Sequence, residues 1–276
     1  MIVDTHVHVI AQDQRKYPRK VAPEHNEWVK DMTAEMILGM MREAGIDRTM
    51  LVQAYGAYEY DNSYAADCAM RYPDRFAGVC ILDPLDGGAP DKLSQLVNER
   101  GVRGLRVFTL TQPERFMLDD PATFPLWERA AALKIPVCVC TRFRQVARLS
   151  AVLERFPELK VALDHVGGPR IDEGPPYSGA QPLFELARYP NLYLKFSSVT
   201  MYAAARGKST SRDFFGRLLE KFGAARMMWG SNFPATHDRS LKEQLQLAQE
   251  QLAFVPAQER DWIFGETALG LWPMLR

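Results

Sequence analysis

The chain has 276 residues, with 34 Lys and Arg balanced by 34 Asp and Glu, 47% hydrophobic and 25% charged. This is the composition of a folded globular protein, and its length suits a single barrel of alternating strands and helices, which takes about 250 residues. The neutral balance, without any basic run, excludes the electrostatic attraction that nucleic acid requires, and no apolar run reaches the roughly 18 residues of a membrane span.

Residues 1–9 form the first strand-like run, and they lack the pattern of a signal peptide, so the chain reads as cytoplasmic. Within that run a period of two separates Val3, Val7 and Val9, with Thr5, from Asp4, His6 and His8. The long segment 10–33 that follows carries Tyr17, Pro18, His25 and Trp28, which read either as part of a lid or, for His25, as an exposed loop histidine.

Further along, strands are predicted over 48–53, 76–82, 102–108, 136–141, 159–164, 192–197 and 227–230. Helices are predicted over 34–44, 60–71, 89–100, 122–133, 144–156, 181–188, 211–222 and 239–252, with Gly45, Gly101, Gly223, Pro73, Pro157 and Pro190 as stop signals. Each strand returns through a helix, so the eight strands are expected to be parallel. The expectation is an α/β chain folded as one (β/α)8 TIM barrel over residues 1–276. A doubly wound open sheet would usually carry a glycine-rich turn after its first strand, where this chain has His6-Val7-His8.

Irregular segments follow the first, fourth, sixth and seventh strands (10–33, 109–121, 167–180 and 198–210), all at the carboxyl ends where barrels build their sites. Cys68, Cys80, Cys138 and Cys140 lack C-x-x-C spacing and read as structural thiols. Trp262, Phe264 and Trp272 are expected to pack under the barrel.

Three constellations carry chemistry. Asp4, His6 and His8 would face the barrel interior, and two imidazoles about 7 Å apart on a strand suit a divalent cation or a polar substrate. Asp164-His165 ends the sixth strand before Gly167-Gly168, and Gly230-Ser231-Asn232-Phe233-Pro234 ends the eighth. Asn232 donates and accepts hydrogen bonds but takes no proton near neutrality.

Together these motifs resemble the amidohydrolase superfamily, and within it the amidohydrolase 2 branch of 2-pyrone-4,6-dicarboxylate and L-fucono lactonases with their decarboxylase relatives. The resemblance extends from Asp4 to the terminal segment 262–268 and implies that His6, His8 and His165 correspond to metal-binding histidines. Two departures matter: strand five, Val137-Cys138-Val139-Cys140-Thr141-Arg142, has no histidine, and Asn232 stands where that family usually has an aspartate. A divalent cation such as zinc on the three remaining imidazoles and a metal-free site, as in the dicarboxylate lactonases, are both open.

A metal-free site needs cations to stabilise the oxyanion of a lactone carbonyl. Arg106, Arg142 and Lys195 are the candidates for holding substrate, with Arg103, Arg144 and Arg170 as surface alternatives, and guanidinium groups imply a small anionic substrate. The general base is read as His165 oriented by Asp164, as Asp4, or as the His237-Asp238 pair. The chain is therefore expected to be a lactonase-type hydrolase, with Asn232 holding water or substrate. The rival readings are a zinc-type decarboxylase of a conjugated acid and a weakened barrel that only binds an anion; monomer and homo-oligomer are equally open.

Overall fold

The computed structural model describes residues 1–20, 27–111 and 114–276. Eight parallel strands follow one another in chain order: β1 (Val3–Val7), β2 (Arg48–Val52), β3 (Phe76–Ile81), β4 (Val102–Phe108), β5 (Val137–Cys140), β6 (Val161–Leu163), β7 (Leu192–Phe196) and β8 (Met227–Trp229). The segment after β8 closes the ring onto β1, with Asn232 N donating to His6 O at 2.8 Å and His8 N donating to Phe233 O at 2.8 Å. This is the expected (β/α)8 TIM barrel.

Alternation along the strands sorts the core into two layers. Leu51, Leu105, Val107, Val139, Leu163, Leu194 and Trp229 turn outward onto the helices. Val3, Met50, Val52, Ala77, Val79, Cys138, Ala162 and Met228 fill the lower interior, closed by Leu269, Leu271 and Trp272 of the carboxyl-terminal segment. Trp272 is fully buried, and its indole N–H donates to Arg103 O at 3.0 Å. Trp272 thus plugs the barrel as its apolar character implies, whereas Phe264 joins the outer layer and Trp262 stays 40% exposed.

The first strand departs from strict alternation. Asp4 pairs with Thr49 but Val7 pairs with Leu51, so two residues of β1 span one of β2. This irregularity turns Val3 inward with the lower core, while Val7 packs outward. Asp4 is consequently not a companion of the two histidines in the cavity, as period two predicted; it ties β1 to β8 instead.

Helices Ala34–Ala44, Ala89–Glu99, Ser211–Phe222 and Leu241–Gln251 lie within two residues of expectation. The helix expected over 60–71 begins later, at Ser63–Arg71, and a separate short helix, Tyr55–Tyr58, precedes it; the 198–210 segment contains a helix, Ser198–Ala204, whose capping box is built by Ser197 and Thr200. Three short helical pieces between residues 257 and 271 were not legible as a pattern. Among the described residues no helix is long and apolar enough to cross a membrane.

Candidate active site

A cavity of about 630 Å³ opens at the carboxyl ends of the strands. His8, Arg106, Cys140, Asp164, His165 and Asn232 line it, facing an aromatic wall of Trp28, Tyr55 and Phe108. Strand alternation explains most of these positions: Arg106 and Phe108 point inward from β4, as do Cys138 and Cys140 from β5, because Leu105, Val107, Val137 and Val139 point out.

Three imidazoles converge. The His6 ring lies 5.0 Å from that of His8 and 5.1 Å from that of His165, centroid to centroid. His6 reaches this position because β8 is followed by Gly230, where a Cβ would meet His6 Cβ at 2.7 Å. Two non-glycine residues of the turn after β6, His165 (φ 53°) and Val166 (φ 49°), hold the left-handed conformation, and Asn232 (φ 63°) does so after β8. Asparagine tolerates that region; a β-branched valine there is strained, and such strain collects at functional sites.

Under the cavity sits a buried ion cluster. The Asp164 carboxylate takes Arg106 Nε at 2.7 Å on one oxygen and Lys195 Nζ at 3.0 Å on the other. Burial alone would raise Asp164, but the Lys195 and Arg106 charges outweigh it and hold the carboxyl below its ordinary value. The Arg106 guanidinium lies 5.0 Å over the Phe108 ring, and among the described residues Asp164 is its one hydrogen-bond acceptor. Lys195 is 2% exposed and does not line the cavity.

Each imidazole is uncharged near neutrality. Burial, with help from Arg106, lowers His8 to about 3, and burial lowers His165 to about 4 against the opposing charge of Asp164. Burial and then the Lys195 charge hold His6 well below its ordinary value. His8 Nδ1 meets the carbonyl of Val52 at 2.8 Å; a carbonyl only accepts, so Nδ1 carries the proton and Nε2 keeps its lone pair. His165 Nδ1 meets Ser197 Oγ at 2.8 Å. Asn232 donates to Thr236 Oγ1 at 3.0 Å and also supports the His8 ring.

Other candidates are not brought together. Arg142 is exposed and spends its Nε on Leu110 O, at the rim rather than among the lining residues. Arg144 pairs with Glu114 and Arg170 with Asp172, both on the surface, and Arg103 donates to Val97 O and Val102 O. His237 is exposed, and Asp238 accepts from Tyr202. His25 lies outside the described residues. Conversely Tyr55 and Phe108 escaped the sequence reading, although Phe108 sits two residues beyond Arg106 and shares its face.

Asp4 is fully buried and raised to about 6 by desolvation, against the N–H groups of Ser231 (2.9 Å) and His6 (3.0 Å) that donate to it. A carboxyl raised from 3.8 contributes stability that is complete below that value and is lost as pH rises through about 6, in all about 3 kcal/mol. Asp4→Asn keeps an acceptor but does not titrate. Its stability relative to the native chain should therefore rise by about 3 kcal/mol between about pH 4 and pH 7 in urea denaturation; an unchanged difference would refute this role for Asp4.

These residues do not fit a divalent cation. Among the described residues no group of three or more His, Cys, Asp or Glu side chains is arranged to hold a metal ion. The chemistry agrees: Asn232 brings no charge, Asp164 is taken by two cations, and the Lys195 ammonium lies 3.3 Å from His6 Nδ1.

A profile of the amidohydrolase family matches residues 3–274. L-fucono-1,5-lactonase of Burkholderia ambifaria is 26% identical over 208 residues, covering 75% of this chain and 71% of that protein. The crystal structure of a Pseudomonas putida protein described as a 2-pyrone-4,6-dicarboxylic acid hydrolase superposes with a TM-score of 0.82 at 23% identity, over 99% of this chain and 97% of the other. Dihydroxybenzoic acid decarboxylase of Polaromonas sp. JS666, with bound manganese and 2-nitroresorcinol, superposes with a TM-score of 0.73 at 18% identity, over 100% and 97%.

Proposed function

The chain belongs to the amidohydrolase family, and from that premise we propose that it hydrolyses a lactone of a small carboxylate-bearing compound. The observation that carries this reading is the Arg106 guanidinium on the same cavity wall as uncharged imidazoles. A guanidinium with Nε occupied still has two nitrogens for a substrate carboxylate or a developing oxyanion. Uncharged imidazoles accept a proton from water. The lactonase relative supports the same class.

In this mechanism the lactone ring lies against Tyr55 and Phe108, whose rings are 4.6 Å apart, and Arg106 receives the anion. His165 takes a proton from water as its oxygen bonds to the carbonyl carbon. The acyl–oxygen bond of the ring then breaks, and the proton passes from His165 to the departing alkoxide, giving a hydroxy acid. Asn232 orients water or substrate beside His8. The manganese of the decarboxylase structure belongs to that protein; in this reading the side chains of the chain itself supply the polarising charge.

The test is turnover of a panel of aliphatic, sugar and aromatic lactones, each with and without a carboxylate, before and after chelation. Chelator-resistant hydrolysis is expected, with carboxylated lactones preferred. Because His165 is lowered to about 4, kcat/KM should be flat above about pH 6 and fall only below about pH 5, as the base becomes protonated. A limb near the ordinary imidazole value of 6.5 would contradict the assignment. The aromatic wall favours one second reading, decarboxylation of an aromatic acid; carbon dioxide release without ring opening would establish it. Hydrolysis gained only by Asn232→Asp would leave the native chain an anion binder.

A further inference from the structure

Lys195 is the one lysine in the buried cluster: its ammonium forms an ion pair with Asp164 Oδ1 at 3.0 Å and hydrogen-bond contacts with His6 Nδ1 at 3.3 Å and Cys138 Sγ at 3.7 Å. An ammonium has three N–H groups and no lone pair, so a ring nitrogen facing it must accept. The competing partner of His6 Nδ1 is Asp164 Oδ1, but at 3.8 Å it lies beyond hydrogen-bond reach. We infer that Lys195 is a positioning residue that fixes His6 as the tautomer with its proton on Nε2.

Several observations converge on this assignment. His6 Nε2 is buried and has no protein partner among the described residues, and the His6 ring packs against those of His8 and His165 without itself lining the cavity. A buried N–H left unpaired costs about 1–3 kcal/mol, and such unsatisfied groups are retained where function outweighs stability. His8 has the opposite arrangement, its proton held on Nδ1 by Val52 O and its lone pair on Nε2. Adjacent rings therefore present one donor and one acceptor. A proton-bearing Nε2 cannot ligate a cation, so the same lysine that orients His6 also removes it from a metal donor set.

The consequence for chemistry is that His6 takes no proton itself and acts through the cavity-lining rings of His8 and His165 against which it packs. This part rests on the lactone reading; the tautomer does not, because it belongs to the resting protein.

The experiment is a long-range proton–nitrogen correlation spectrum of the ¹⁵N-labelled native chain near pH 7, with His6 assigned by His6→Gln. The expected result is an unprotonated Nδ1 and a protonated Nε2. In Lys195→Met no donor faces Nδ1 and the Asp164 carboxylate at 3.8 Å is out of hydrogen-bond reach, so the Nε2-protonated form should no longer be the single tautomer. On a lactone that the native chain hydrolyses, Lys195→Met should lower kcat at least tenfold and change KM less than threefold. A native His6 with its proton on Nδ1 overturns the proposal, as does a folded Lys195→Met with an unchanged tautomer. If Lys195→Met does not fold, the Asp164→Asn/Lys195→Met pair, which removes one anion and one cation and leaves Arg106 with the same net charge in the cluster, should show the His6 tautomers mixed, and a retained single Nε2–H form there overturns it too. Failure of every lactone would remove the proposed function while leaving the spectroscopic result to decide this one.

Discussion

Asp164→Asn should lower the stability of the chain by about 3–5 kcal/mol, the cost of breaking a buried ion pair from one side. The carboxylate has no exposed surface on its side chain and faces two cations, Arg106 and Lys195, that are themselves almost completely buried. Asparagine preserves the shape and removes the charge, leaving two cations to repel each other without an acceptor anion. The pH dependence has a definite sign. A carboxyl held below 3.8 contributes stability that is present above that value and is lost as pH falls through its folded value, so acid should weaken the native chain and spare the variant. Urea denaturation at neutral and acid pH measures both effects; a loss under about 1 kcal/mol would mean that the cluster is not a closed set of charges. Replacing the trio together, with Asp164→Leu, Arg106→Leu and Lys195→Met, should recover much of the stability while abolishing turnover, because the cluster serves the site rather than the fold.

His165→Ala should reduce kcat/KM by about 10²- to 10⁴-fold, the usual contribution of a positioned proton acceptor. Of the three imidazoles it is the best arranged to take a proton from water, because it lines the cavity, stands next in sequence to Asp164, and is held on Nδ1 by Ser197. The fold should survive, since His165 is outside the Asp164–Arg106–Lys195 cluster. Alanine does carry a strain penalty at φ 53°, and His165→Asn, which tolerates that backbone, separates lost chemistry from lost geometry. Both variants should be equally inactive with near-native circular dichroism, and free imidazole should restore part of the turnover of His165→Ala. An active His165→Ala enzyme would return the role of base to another group.

The histidines were readable because chemistry-bearing residues interrupt apolar strands at their carboxyl ends, where a barrel exposes its interior. Arg106 was readable for a related reason: it alternates with Leu105 and Val107, which must face the helices. Lys195 alternates in the same way, but period two tells only that it points inward and not how deep. Its depth in the barrel puts it beneath the cavity, against Cys138, so it is not positioned to meet substrate directly. Arg142 failed differently, because a residue just past a strand end has left the alternation that would orient it.

The aromatic wall was hidden because its members come from unrelated places. Trp28 comes from the long first segment, Tyr55 from a short helix after β2, and Phe108 from the end of β4. No local spacing links them, and only barrel closure sets Trp28 over His8, with ring centroids 5.4 Å apart.

What the amino-acid sequence determined by itself was the architecture and the inventory: eight alternating units, strands with one apolar face toward helices, and three histidines at strand ends. Hydrophobic periodicity is a local property, and barrel formation follows from it. What only the tertiary structure decided was the state of each group. The irregularity in β1 separates Asp4 from the histidines, and the meeting of β4, β6 and β7 sets Asp164 between two cations. Burial keeps the imidazoles uncharged. Charge state and proton position depend on distances of a few ångströms between residues far apart in the chain, such as the 3.3 Å from Lys195 to His6, and no sequence spacing encodes them.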